Sequence, residues 1–324
     1  MSLKAQFLLI FMGIAHALPL FSQNKIEVKK DSSILPILRG VIQNHGFELL
    51  DMDKGIALLK KKNKQKETHY YLQIVDIQAI AVNQYFVETK NAGLNQGKYF
   101  MGEKGYKSPY FKMLSHSKTQ QNQQVAFGKN YFGVMNCSFF EEHKPETQLS
   151  FPMKKDGQVL TGGSSPFGPF SKPNDKYFKN ITLKSLVWND KDIEIKNYNT
   201  ETGYPLTDSV WTNGLVSYNY LDHPANLYRP AQANRFHLVS TIKDAQSNRN
   251  FLLILTSTDA TLTEAGAFLK KINNNSDIMT IDGGASVFIH NRKFGNLEQP
   301  RMLNPDDPTS YSLLPHYWVF VLKN

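Results

Sequence analysis

The sequence predicts an α+β fold: one domain on a largely antiparallel or mixed β-sheet, with a few helices. Three observations carry this. Strand-like runs outnumber helical patterns heavily along the 324 residues. Many of those runs are joined by tight turns such as Asp53-Lys54-Gly55 and Lys154-Lys155-Asp156-Gly157-Gln158, which favours antiparallel neighbours. Neither an internal repeat nor a Pro/Gly/Ser-rich linker divides the chain.

In chain order, Ser32-Ser33 is placed to cap a helix running to about Asn44. Its apolar face is Ile34, Leu35, Leu38, Val41 and Ile42, with Pro36 in the first turn and Gly46 after the end. Phe47–Leu50 and Ile56–Leu59 read as a hairpin, Tyr70–Ile77 and Ala79–Val87 as strands. Residues 91–108 read as loop, Pro109–His116 as a short helix, and the polar stretch Thr119–Gln124 as a solvent-facing loop. Tyr131–Phe140 opens as an apolar strand. Leu149–Met153 pairs with Val159–Leu160, Gly162–Pro173 is irregular, and Ile181–Val187 pairs with Ile193–Tyr198. Tyr204–Leu227 is aromatic and loop-rich. His237–Ile242 and Phe251–Thr256 are strands. Thr261-Leu262-Thr263-Glu264 is a capping box that starts a helix to about Ile272, stopped by Asn273-Asn274-Asn275-Ser276. Tyr317–Leu322 is a last strand.

Hydrophobic residues make up 41% and charged residues 20%, a globular balance, and the net charge of +9 suits polyanionic partners. The Lys/Arg residues are scattered. The one dense run, Lys60-Lys61-Lys62-Asn63-Lys64-Gln65-Lys66, reads as a solvated turn, so no nucleic-acid partner is expected. Residues 1–17 read as a signal peptide: Lys4 gives the positive start, Phe7–Ile14 the apolar stretch, and Ala15-His16-Ala17 the cleavage site, with an alternative end near Ser22. An uncleaved anchor is the competing reading, although the apolar run is short for a membrane span. Past cleavage no stretch reaches transmembrane length. Cys137 is the sole cysteine, so the chain forms no internal disulfide, which suits an exported bacterial-type protein. There is no P-loop, G-x-G-x-x-G, H-E-x-x-H, G-x-S-x-G or cysteine pair, and the histidines are dispersed, so neither a cofactor nor a metal is expected.

The chemistry concentrates at two strand ends. Ile278–Ile281 runs into Asp282-Gly283-Gly284, then Ala285-Ser286, before Val287-Phe288-Ile289 resumes a strand pattern. A carboxylate on a rigid strand end, followed by two glycines, lets a ligand approach the backbone closely. An Asp-Gly hairpin turn is the plain alternative. Far upstream, Tyr131–Met135 ends in Asn136-Cys137-Ser138-Phe139-Phe140. The pair resembles the phosphodiester glycosidase family, whose members carry Asn-Gly-Gly-aromatic-Phe and later Leu-Asp-Gly-Gly-Gly-Ser-Ser. A third segment, Asn234-Arg235-Phe236, stands where the family has Pro-Arg-Thr. The departures are Cys137 and Ser138 for two glycines, Ala285 for a third, Val287 for a Ser, Phe236 for a Thr, and Thr258-Asp259-Ala260-Thr261 where members often carry Asp-Gly-Arg.

The resemblance implies a family domain over residues 67–324, with 18–66 as an N-terminal extension packing on it. It implies hydrolysis of a glycosyl phosphodiester, a sugar 1-phosphate diester, in an envelope or extracellular glycan. Breaking the anomeric C–O bond releases a stable phosphate monoester, so one carboxylate with cationic and hydrogen-bond support suffices. On that reading Asp282 is nucleophile or general base, and Asn136 orients it or binds sugar. Arg235 pairs with phosphate, or makes a structural salt bridge. Gly283 and Gly284 offer backbone N–H groups to phosphate, Ser286 adds a hydroxyl, and Glu141 is a second carboxylate or a surface residue. Cys137 reads as a buried, inert thiol. All three segments are expected to meet: with the Asn136 and Asp282 strands as neighbours in one sheet, Asp282, Asn136 and Arg235 would line one pocket with Ser286 on its wall. The altered glycines keep open a second function, a glycan- or sugar-phosphate-binding protein that has lost turnover.

Overall fold

The computed structural model describes residues 33–62, 69–90, 108–141, 144–163, 181–244, 246–273, 277–301 and 313–324. The expected signal peptide, nearly all of the 91–108 loop, the loop after Gly163, the end of the basic run and Asn274-Asn275-Ser276 lie outside them. Every strand pair within the three large sheets is antiparallel. The first sheet runs Glu48–Asp53, Ile56–Lys62, His69–Val75, Asn250–Ala260, Asn234–Lys243, Ile278–Ile281 in spatial order. The second runs Gly295–Glu298, Ile289–Asn291, Tyr131–Asn136, Tyr317–Leu322, Ile80–Tyr85. The third runs Gln158–Gly162, Pro152–Lys155, Asn213–Tyr218, Leu183–Trp188, Ile193–Asn197.

The strand period of two explains how the sheets stack. In Ile56–Lys62, Ile56 and Leu58 enter a core shared by all three sheets, while Ala57 and Leu59 face the opposite core. Leu252 and Ile254 against Phe251, Leu253 and Leu255 divide the same way. The opposite core is closed by the helices Leu35–His45 and Leu262–Asn273. Such strands are apolar on both faces, and each fully buried Leu, Ile or Phe contributes roughly 1.5–3 kcal/mol. The segment before residue 66 takes part in this: Ile56–Lys62 pairs with Glu48–Asp53 and, along its whole length, with His69–Val75, so the hairpin belongs to the first sheet and the helix Leu35–His45 packs on its face. Among the described residues no helix is long and apolar enough to cross a membrane.

Four local expectations are corrected. Ser33 does not cap the first helix; its hydroxyl donates to the buried Asp76 carboxylate, and Ile34 takes the cap position without a side-chain bond. Gly46 does end that helix, with φ 65°. Residues 109–115 are not helical but hold the short strands Phe111–Lys112 and Leu114–Ser115; only His116 is helical, as the first residue of the helix that follows. The stretch expected as loop, Thr119–Gln124, lies inside the helix His116–Phe127. Its buried residues are Thr119 and Gln123, one turn apart and both polar, so no apolar stripe announces it. The loop-rich Tyr204–Leu227 contains a central strand of the third sheet, Asn213–Tyr218. A Cβ at Gly214 would lie 3.1 Å from the Leu186 carbonyl oxygen, so the glycine there serves close strand packing.

The capping box forms as the sequence indicates. The Glu264 N–H donates to Thr261 Oγ1 at 3.1 Å, and the Thr261 N–H to Glu264 Oε2 at 2.8 Å. Thr261→Ala removes one of these bonds and should cost about 1 kcal/mol, read as a lower urea midpoint with an unchanged m-value.

Candidate active site

Asp282 follows the last residue of an edge strand. Ile281 pairs with His237 in the first sheet, whereas Ile289, after the turn, pairs with Met135 in the second. The Asp-Gly-Gly segment is therefore a crossover between two sheets, and the hairpin reading is excluded. The expectation that the Asn136 and Asp282 strands are neighbours in one sheet is also overturned: they belong to different sheets whose ends meet. The junction is stitched by backbone bonds, Asp282 N–H to the Cys137 carbonyl at 2.8 Å and Asn136 N–H to the Phe288 carbonyl at 3.3 Å. Both glycines of the turn have a local reason. A Cβ at Gly283 would stand 3.0 Å from the Arg235 carbonyl oxygen, and Gly284 has φ 65°.

The side chains at this junction form a buried chain of hydrogen bonds. Asn136 Nδ2 donates to Asp282 Oδ2 at 3.1 Å and to the Asp282 carbonyl at 3.2 Å. Asn136 Oδ1 accepts the Phe288 N–H at 2.8 Å and lies 2.8 Å from His237 Nε2. His237 Nδ1 lies 2.7 Å from Thr256 Oγ1. Asn136, His237 and Thr256 are all buried. Burial raises the Asp282 carboxyl to about pKa 8, against the lowering influence of hydrogen bonds from Asn136, Ser286 and the Gly283 backbone. Burial and the nearby Arg235 charge lower His237 to about 3, so its ring is neutral. The role of nucleophile or base expected for Asp282 needs an ionised carboxylate. At neutral pH the protonated form predominates instead, which equips the group as a proton donor.

Asp282 opens onto a cavity of about 280 Å³. Its walls are largely apolar, from Phe139, Phe140, Phe236 and Ile281. Its polar features come from Glu141, Ser286, His223 and the Gly283-Gly284 backbone. Of the residues singled out in the sequence, Asp282, Glu141, Gly283, Gly284 and Ser286 therefore line one cavity. Asn136 does not; it is wholly buried and reaches the site through its contact with Asp282.

Arg235 does not line the cavity either, contrary to expectation. Its Nη2 donates to the carbonyls of Val287 at 2.6 Å and Gln299 at 2.8 Å and pairs with Glu298 Oε2 at 3.1 Å. A register break between Asn234 and Phe236 interrupts the strand at Arg235, so simple alternation does not fix where this side chain goes. It is 1% exposed, and burial lowers its pKa to about 10. The Cys137 thiol is buried and pushed well up by that burial, which keeps it protonated.

His223 was missed by sequence reasoning. Its Nδ1 accepts the Ala225 N–H at 3.0 Å and caps the helix Pro224–Tyr228, which leaves the proton on Nε2. Burial lowers its pKa to about 3, so it faces the cavity as a neutral ring packed on Phe139 and Tyr218. The His-Pro pair ahead of a short helical stretch was the available signal. Among the described residues no group of three His, Cys, Asp or Glu side chains is arranged to hold a metal ion.

No family model and no curated protein sequence matches the chain. Among solved structures, the chain is similar to the catalytic domain of zebrafish N-acetylglucosamine-1-phosphodiester α-N-acetylglucosaminidase, auto-inhibited by its pro-peptide. The match has 11% identity and a TM-score of 0.49, and covers 86% of this chain and 84% of that one. It is also similar to a hypothetical protein from Synechocystis, at 8% identity and a TM-score of 0.45, covering 85% of this chain and 64% of that one.

Proposed function

We propose that this chain is an exported hydrolase of glycosyl phosphodiesters, acting on an envelope or extracellular glycan. The observation that carries the reading is Asp282: a buried carboxyl, pushed up to about pKa 8 by that burial, at the wall of a largely apolar cavity that also holds Glu141. Two carboxyl groups in one cavity, one of them held as an acid, is the equipment of glycoside hydrolysis. The order of the Asn136, Arg235 and Asp282 segments along the chain supports the phosphodiester class, and the N-terminal signal pattern supports export.

In the proposed reaction a sugar ring packs on the aromatic wall of Phe139 and Phe236, with its anomeric carbon near Asp282. Water attacks that carbon while the bond to the phosphate oxygen breaks. Glu141 takes the proton from water, and Asp282 gives its own to the departing phosphate oxygen. The Gly283-Gly284 backbone and the Ser286 hydroxyl donate to the phosphate. No cofactor takes part. Arg235 holds the turn rather than the phosphate.

A binding protein without turnover is the second reading, favoured by the guanidinium being committed to Glu298, Val287 and Gln299. Incubation with an α-linked N-acetylglucosamine 1-phosphodiester separates the two. Release of free sugar is expected. A folded protein that turns over no sugar 1-phosphodiester defeats the enzyme reading, and calorimetric binding in its place establishes the second.

A further inference from the structure

We propose that His237 is a positioning residue: as a neutral donor it fixes the side-chain amide of Asn136 with its nitrogen toward Asp282. One backbone group settles every proton in the chain of bonds. The Phe288 N–H donates, so the Asn136 atom it meets at 2.8 Å is the carbonyl oxygen Oδ1. His237 Nε2, 2.8 Å from that same oxygen, must then carry a proton. A neutral ring has one proton, so Nδ1 is the acceptor and the Thr256 hydroxyl donates to it across 2.7 Å. Oδ1 is thereby held by two donors, and Nδ2 must point both its hydrogens at Asp282, to Oδ2 and to the backbone carbonyl. A flipped amide would set two N–H groups of the chain against the Asn136 nitrogen.

The consequence falls on Asp282. An N–H aimed at its carboxyl favours the ionised form and sets how easily the proton leaves. Without His237 the amide keeps only the Phe288 donor, turns more freely, and can present oxygen to a protonated carboxyl. The ionisable groups around Asp282 are Cys137 and Glu141 from the segment after Asn136, His223 ahead of Pro224–Tyr228, and Arg235 and His237 from Asn234–Lys243. Substitution at 237 changes the charge of none of the others. The catalytic meaning of this assignment rests on Asp282 as the reacting group proposed above, but its test needs no substrate.

The test is the titration of the Asp282 carboxyl, followed by carbon-13 NMR on the full chain, with the assignment confirmed by loss of the signal in Asp282→Asn. His237→Leu should move the midpoint up by roughly one pH unit, the size of a lost hydrogen bond to a charged group. His237→Gln places an amide nitrogen near the former Nε2 and should restore the native midpoint. His237→Asn reaches only toward Thr256 and should behave as Leu does. An unchanged midpoint in a folded His237→Leu protein overturns the proposal. Where His237→Leu does not fold, the other two variants decide: equal midpoints for Gln and Asn overturn it. Failure of sugar release with these shifts present would count against the proposed reaction alone.

Discussion

Asp282→Asn lowers kcat by at least ~10²-fold and leaves the fold intact, because the amide is nearly isosteric and holds no transferable proton. The pH dependence separates the possible roles of the carboxyl. A proton donor with a pKa of about 8 loses activity as pH rises through 8, whereas a nucleophile or base would gain it over the same interval. Stability carries the same group's signature. The native pKa of about 8 stands above the ordinary value of 3.8, so the folded state holds an extra proton between them. That contribution is complete below about pH 4 and is lost as pH rises through 8, with a slope of up to about 1.4 kcal/mol per pH unit. Asp282→Asn removes this slope. Urea unfolding from pH 4 to 9 should show the variant overtaking the wild type at the alkaline end. The buried histidines, lowered to about 3, make both curves rise with pH below about 6.5, so the readout is the wild-type-minus-variant difference. A difference that does not fall towards pH 8 would refute the protonated carboxyl, and unaltered turnover in the variant would remove Asp282 from the reaction.

The strand ends that bear Asn136 and Asp282 were legible because each is an apolar run broken by a polar cluster, and the contact between them follows. Their membership of different sheets was not legible. Antiparallel strands buried on both faces give the same continuous apolar pattern whichever sheet they join, and Ile278–Ile281 has only four residues in which to show a preference. His237 was invisible for a different reason. A lone histidine in a strand looks like core, and its meaning depends on Thr256, on the next strand, and on Asn136, which is 101 residues away in sequence. The helix His116–Phe127 escaped because its inward face is made of Thr119 and Gln123, which hydropathy reads as solvent. Glu141, Gly283, Gly284 and Ser286 reached the cavity because they sit beside the two strand ends.

Arg235→Met should cost about 3–5 kcal/mol of stability, a loss expected when one partner of a buried ion pair is removed. Three acceptors depend on the Arg235 Nη2: the Glu298 carboxylate and the carbonyls of Val287 and Gln299. Removing the cation strands all three where water reaches poorly, since the Glu298 side chain is 16% exposed. It also unties Val287, the residue after the Gly284–Ser286 turn, from the segment that follows the edge strand of the second sheet. The net benefit of the native arrangement is reduced by its own cost, because Arg235 Nε and Nη1 are buried without a hydrogen-bond partner among the described residues. Glu298→Gln in the Arg235→Met background should therefore recover part of the loss, and the double mutant should fall short of the sum of the singles. A phosphate clamp predicts the reverse pattern: stability held, KM raised, and no coupling to Glu298. Urea midpoints for the three proteins decide between them. An Arg235→Met protein as stable as the wild type would return the guanidinium to the substrate.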